Sequence, residues 1–336
     1  MTQHRGIELP LPVFDVSTLG SGSASESTES ASVLADQLQH TGCVYLVRHG
    51  IPTETIHRAF EVSKRFFALP HQARMSVADL NSPHFRGFVP SRGELTKGPA
   101  DADRREQFVI GPETAPQPLD PGAPWRQLIG PNQWPDALPE LRPVMLDWLD
   151  ELTALSHRLL SAIATALHGR PDFFDGLVAG NPNHRLRTSH YPAGTPGFDD
   201  NGLGAHRDHG LLALIAQDGV GGLQMEDGHD SWVDVKPLPG ALVVNLGETL
   251  QVATGGRLPA PVHRVITPPT GAERYSFAFA FNPHIEALTK DTTDPQGAGT
   301  TEHYGRRVLA RWLQSSPHLA RRHFPNVDPG ALLTGS

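Results

Sequence analysis

Cysteine is almost missing from this chain: Cys43 is the single one in 336 residues. No intrachain disulfide can form, and no CxxC partner exists for a structural zinc site. A reducing, cytoplasmic setting is the expectation. Cys43 precedes Val44-Tyr45-Leu46-Val47 and reads as a small buried apolar residue rather than a reactive thiol. Long apolar runs are also lacking, so no segment is expected to span a bilayer. The first six residues hold no apolar signal core. Positive charge is in deficit, with 28 Lys and Arg against 36 Asp and Glu and a net charge of −8. That balance argues against nucleic acid and anionic membranes as partners. No P-loop and no Gly-x-Ser-x-Gly elbow occur. His206-Arg207-Asp208 spells a kinase tripeptide, yet no Gly-rich phosphate loop or Asp-Phe-Gly accompanies it.

Glycine (33) and proline (31) are plentiful, which favours a turn-rich fold containing β-structure over a helix bundle. The first half carries helical periodicity. Ala31, Leu34, Ala35 and Leu38 predict a helix over 30–40, preceded by a Gly/Ser/Glu-rich stretch expected to be a loop. Ile56, Phe60, Ser63 and Phe67 predict another over 52–68, and Leu141 to Leu159 sit inside the longest pattern, 138–167. From Leu186 the period changes to two, and short strands separated by Gly, Pro and Asp turns are expected through Phe281. Many short strands of this kind indicate a sandwich or jelly roll. The fold class is therefore mainly β with flanking helices, and a last helix is expected over 303–314.

The chemistry concentrates in Gly204-Ala205-His206-Arg207-Asp208-His209-Gly210. In a strand, residues i and i+2 share a side, so His206 and Asp208 would face one cavity and Arg207 would point away. His263 lies several strands later, where a double-sheet barrel can return beside the first pair. Two imidazoles and a carboxylate on one metal, with open positions left, make the facial triad of non-haem Fe(II) oxygenases. Arg274 and Ser276 form another i, i+2 pair. With Ala278 and Ala280 they give one small-residue face holding a guanidinium, suited to gripping a carboxylate through two parallel hydrogen bonds. Tyr275, Phe277, Phe279 and Phe281 form the opposite, aromatic face.

These motifs stand in a fixed order with others. They include His190-Tyr191-Pro192, Gly221-Gly222-Leu223-Gln224, Pro239-Gly240-Ala241 through Gly247, Pro261-Val262-His263-Arg264-Val265, and Glu273-Arg274-Tyr275-Ser276 through Pro283. The earlier Pro12-Val13-Phe14-Asp15, Thr41-Gly42-Cys43, Phe66-Phe67-Ala68-Leu69-Pro70 and Arg86-Gly87-Phe88 belong to the same series. Together they resemble the iron- and 2-oxoglutarate-dependent dioxygenase family, in its isopenicillin N synthase-like branch. The resemblance implies a double-stranded β-helix core over 181–290, an N-terminal α/β region over 1–180 and a C-terminal helical segment over 291–336. It implies Fe(II) on His206, Asp208 and His263, 2-oxoglutarate as cosubstrate with its far carboxylate on Arg274 and Ser276, and O2 at the remaining position. Tyr191 matches the family tyrosine beside the cosubstrate, and Ser189 stands where relatives often have Asn. Two positions depart from the pattern: Arg207 replaces a small residue, and His209 replaces a tyrosine.

Such an enzyme oxidises an unactivated C–H of a small molecule by hydroxylation, desaturation or cyclisation, and secondary metabolism is the expected setting. Phe85, Arg86, Phe88, Arg104, Arg105 and His209 are the candidate substrate-facing residues. A monomer or small homo-oligomer is expected. Two rival readings remain. One is an isopenicillin N synthase-like oxidase that does not use 2-oxoglutarate; the other is a jelly-roll binding protein without catalysis, against which the intact triad argues.

Overall fold

The computed structural model describes residues 11–20, 23–91, 105–193, 201–227, 231–267, 271–289 and 301–334. The N-terminal part alternates β1 (Val13–Asp15), α1 (Ala24–Thr41), β2 (Cys43–Val47), α2 (Thr53–Phe67), α3 (His71–Met75), β3 (Gly87–Val89) and β4 (Glu106–Ile110). The long α4 (Leu141–His168) and short α5 (Asp175–Val178) follow. Then come β5 (Arg185–Tyr191), β6 (Asn201–His206), β7 (Leu212–Gln217), β8 (Leu223–Glu226), β9 (Trp232–Asp234) and β10 (Leu242–Leu246). After α6 (Glu248–Ala253), β11 (His263–Ile266) and β12 (Arg274–Phe281), the helices α7 (Tyr304–Ser315), α8 (Pro317–His323) and α9 (Pro329–Thr334) end the described chain.

Helices α1, α2, α4 and α7 run where the apolar spacing predicts them, with one extension, while the short α3, α6, α8 and α9 are not predicted. Helix α1 starts at Ala24, inside the stretch expected to be a loop, because Ser23 and Glu26 form a reciprocal capping box. Ser23 accepts from the Glu26 N–H, and the Glu26 carboxylate accepts from the Ser23 N–H. The helix stops at Gly42, whose φ of 65° is left-handed and whose absent Cβ would stand 2.5 Å from the Pro259 carbonyl.

Two sheets form the core. The larger has eight strands in the order β1-β2-β10-β7-β12-β5-β4-β3, and the smaller has four in the order β6-β11-β8-β9. Side-chain alternation gives the large sheet two unlike faces. Val44, Leu46, Leu214, Val244, Phe277, Phe279 and Phe281 point to one side and join the main apolar core with α1, α2 and α4. There Phe277 meets Phe60 edge-on at 4.8 Å and Trp148 at 5.9 Å. Truncating such a ring to alanine typically costs about 3–5 kcal/mol. The other face looks toward the small sheet. Cys43, Ile215 and Val243 pack there with Leu223, Met225 and Val265, and Cys43 is fully buried as its sequence context predicts. Burial pushes the Cys43 thiol pKa far up, which keeps it protonated and inert. Among the described residues no helix is long and apolar enough to cross a membrane.

Candidate active site

A cavity of about 370 Å³ opens between the two sheets. His206 is the last residue of β6, and antiparallel pairing in the small sheet sets His263, the first residue of β11, directly opposite it. The two rings lie 4.2 Å apart between centroids. Asp208 is just past the strand end, 3.7 Å from His206 Nε2 and 3.8 Å from His263 Nε2. One ligand atom from each of the three lies within 4.8 Å of the others. The Nδ1 atoms of both histidines face backbone carbonyls, that of Gly204 at 2.9 Å and that of Pro261 at 3.4 Å. A proton held on Nδ1 by such a carbonyl leaves the Nε2 lone pair free, the form a metal requires.

The electrostatics suit a cation. Burial, and then the neighbouring His263, depress the His206 pKa to about 3, so the ring is neutral and able to donate a lone pair at neutral pH. Burial alone would raise the Asp208 pKa; His263, His206 and a 2.8 Å hydrogen bond from Asn245 Nδ2 outweigh it and hold the carboxyl at about 2.

The loop carrying Asp208 is clamped from behind by the start of α6. The N–H groups of Gly247, Glu248 and Thr249 donate to the carbonyls of Leu211, Asp208 and Gly210 at 3.0, 2.8 and 3.1 Å. This approach needs Gly247, since a Cβ there would sit 2.2 Å from the Gly210 oxygen. Arg207 departs from the strand-based expectation. Asp208 and Arg207 both lie beyond the end of β6, so strict alternation no longer governs them. Arg207 borders the cavity and is exposed, with its Nε donating to the Ala260 carbonyl at 2.9 Å.

Arg274, Ser276, Ala278 and Ala280 line the cavity floor, as their alternation on β12 predicts. Register pairs Arg274 with Tyr191 and Ser276 with Ser189 on β5, so four candidate cosubstrate residues form one patch. Arg274 is buried. Its guanidinium lies 4.8 Å over the Tyr191 ring and donates to Ser276 Oγ at 2.9 Å and Gln217 Oε1 at 3.3 Å. Its Nε has no hydrogen-bond partner, and no carboxylate pairs with it among the described residues. A buried cation without a counter-ion is costly, and an incoming carboxylate would satisfy it. The donor set thus fits Fe(II) at the triad and the far carboxylate of 2-oxoglutarate at Arg274.

The remaining wall comes from α7, whose Tyr304, Val308 and Trp312 face the cavity. The sequence predicts this helix but gives no sign that it covers the site. Arg307 and Arg311 fasten it: Arg307 donates to Thr249 Oγ1 at 2.5 Å and to the His209 carbonyl at 3.3 Å. Arg311 joins Glu248 at 2.8 Å, and Glu248 in turn meets His209 Nδ1 at 2.9 Å. Burial would raise the Glu248 pKa; His209 and Arg311 outweigh it and hold it near 2.

His209 therefore borders the cavity but is engaged in joining α6 to α7. Two other candidates are structural. Arg86 is fully buried and donates to the carbonyls of Gly130 and Pro112, which fixes a loop. Phe88 is buried against Phe66 in the main core. Both lose a substrate-facing role because β3 is the far edge strand of the large sheet, away from the cavity. Phe85, with a left-handed φ of 54°, packs on Trp312 and Phe324 behind the cavity wall. Arg104 lies outside the described residues, while Arg105 lines the cavity, as does Arg187, which the sequence did not single out.

A two-sheet barrel with a His-x-Asp…His cluster at one end of its cavity and a buried arginine on its floor defines a non-haem metal oxygenase. Comparison with known proteins gives the family: the chain belongs to the 2OG-Fe(II) oxygenase superfamily, whose family model matches residues 182–283. Residues 11–137 match the model described as non-haem dioxygenase in morphine synthesis N-terminal. A 2-oxoglutarate-Fe(II) type oxidoreductase of Aspergillus fumigatus is 31% identical over 279 residues, 81% of this chain and 82% of that protein. A homoarginine-6-hydroxylase of Arabidopsis thaliana is 29% identical over 326 residues, 91% of this chain and 96% of its own length. Among solved structures, a full-length Neurospora crassa protein in complex with α-ketoglutarate superposes with a TM-score of 0.76 at 27% identity, covering 90% of this chain and 96% of that one. The same protein has been solved with α-ketoglutarate and thymine together. The protein is accordingly a 2-oxoglutarate- and Fe(II)-dependent dioxygenase with a double-stranded β-helix fold.

Proposed function

We propose that His206, Asp208 and His263 hold the iron, that Arg274 and Ser276, flanked by Tyr191 and Ser189, hold 2-oxoglutarate, and that the enzyme hydroxylates a small molecule lodged beneath α7. The carrying observation is the triad itself: three ligand atoms within 4.8 Å, with both histidines turned by backbone carbonyls so that Nε2 faces the centre. When bound, iron with 2-oxoglutarate and O2 supplies an oxidant able to attack an unactivated C–H, releasing succinate and CO2.

The chain's own groups provide the setting for that chemistry. Asn245 orients Asp208 and, with His263 and His206, keeps it ionised. Arg274 gives the cosubstrate a single orientation by gripping the carboxylate remote from the metal. Val308 and Trp312 keep water from the target carbon and present it to the triad. Homoarginine, the substrate named for several relatives, is a poor match here. Asp208 is the single carboxylate lining the cavity among the described residues, so a guanidinium would find no other counter-charge. A small-molecule-sized cavity suits a cytoplasmic role in secondary metabolism.

The test is succinate formation from 2-oxoglutarate under Fe(II) and O2, with a metabolite extract as the source of substrate. Wild type should form succinate, His263→Ala should lose at least about 100-fold, and Arg274→Gln should need far more 2-oxoglutarate. Equal anaerobic Fe(II) affinity in wild type and His263→Ala would remove His263 from the ligand set. Oxidation of substrate without succinate would favour the oxidase reading instead.

A further inference from the structure

We propose that Arg187 is the substrate-anchoring residue of this oxygenase and that the substrate is a small organic acid with an apolar body; the inference rests on the cavity assignment made above. Arg187 projects from β5 onto the cavity floor, on the same face as Ser189 and Tyr191. Its guanidinium has no hydrogen-bond or ion-pair partner among the described residues. The other three cavity arginines differ, and Arg105 has an interaction of its own. Arg274 is committed to Tyr191, Ser276 and Gln217. Arg207 is exposed and donates to the Ala260 carbonyl.

Position separates Arg187 from the cosubstrate patch. It lies four residues before Tyr191, which on an extended strand is roughly 13 Å. In register it faces Ala278, whose small side chain leaves room above it. It also adjoins Trp312 and Ser315 of α7, so it marks the end of the cavity that α7 covers.

Charge points the same way. A divalent metal and a dicarboxylate cosubstrate cancel one another, and Asp208 offsets one of the four guanidinium groups that line the cavity. The lining keeps an excess of positive charge, and Arg187, close to the buried Arg185, carries part of it. A carboxylate on the substrate would meet it with two parallel hydrogen bonds. Val308 and Trp312 would cover the substrate's carbon skeleton. A cationic substrate would meet repulsion at the same spot, and a neutral one would leave the guanidinium unpaired.

The test is calorimetric binding to the full chain loaded with Mn(II) and 2-oxoglutarate. The probes are six- to twelve-carbon aliphatic and aromatic monocarboxylic acids, each with its primary amide and its amine. Acids should bind at least about 10-fold more tightly than matched amides. Arg187→Gln should erase that preference by weakening acids and sparing amides, and Arg187→Lys should retain part of it. Affinity for 2-oxoglutarate, read in the same cell before the acid is added, should stay within about twofold in Arg187→Gln and fall in Arg274→Gln. Amides or amines binding as well as acids, no acid binding at all, or a preference that survives Arg187→Gln would each overturn the proposal. Failure of wild type to bind 2-oxoglutarate would instead overturn the cavity assignment beneath it.

Discussion

Asn245 is the outer partner of the proposed metal ligand Asp208, adding to the pull of His263 and His206 on its charge. It is fully buried on β10, and its amide donates to Asp208 Oδ2 at 2.8 Å. An outer partner of this kind orients the ligand and keeps it ionised. Asn245→Ala should therefore leave the fold intact and weaken Fe(II) binding about 10–100-fold, measured by anaerobic titration; an unchanged affinity would refute the role. The sequence did not disclose it. Asn245 sits in the apolar run Leu242 to Leu246, where a polar residue signals only that a partner exists. Arg274 and Ser276 were legible because alternation with Tyr275 and Phe277 assigns them a face directly. The burial of Arg86 and Phe88 was not legible, because a three-residue strand is too short to show which face or which sheet edge it occupies.

At the scale of elements, the joins between helices and strands carry the titratable pairs. Arg74 of α3 donates from one nitrogen to both oxygens of Glu106 on β4, each at 2.7 Å, and His190 Nδ1 adds a contact at 3.3 Å. Burial would raise the Glu106 pKa, yet His190 and Arg74 outweigh it and the value falls below 4.5. A carboxyl lowered in the folded state contributes stability that is complete above its unfolded value, near 4.5. That contribution drains away as pH falls through the lowered value. Glu106→Gln should cost about 1–3 kcal/mol at pH 7, and the loss should shrink below pH ~4. Denaturant melts at both pH values check this, and a penalty independent of pH would contradict it. Most elements were readable from period alone. The exceptions are the short helices α3, α6, α8 and α9, too brief to show a period, and the true start of α1, which its capping box sets.

The whole molecule is tied together at its cavity. The triad draws on β6, the loop after it and β11, while the proposed cosubstrate patch draws on β5 and β12. Ligands that bridge so many segments bind the folded chain and not the unfolded one. Mn(II) with 2-oxoglutarate, each at 100 times its Kd, should add about 2.7 kcal/mol per ligand, or on the order of 4 °C in Tm for a chain of this size. Scanning calorimetry should show the full rise in wild type and only the metal's share in Arg274→Gln; a chelator should reverse both. Equal cosubstrate shifts in the two proteins would remove Arg274 from the site. That α7 completes the wall was invisible in the sequence, because its apolar residues read alike whether they meet a core or a cavity.

Strand β12 has one face against the aromatic core and the other toward the cavity. Saturation mutagenesis across 274–281 should accordingly give a sawtooth. Polar changes at Phe277, Phe279 and Phe281 should lower cellular abundance. Changes at Arg274, Ser276, Ala278 and Ala280 should keep abundance and lower turnover. Sorting variants first by expression level and then by succinate yield would resolve the two phases, one residue apart, along a single eight-residue strand.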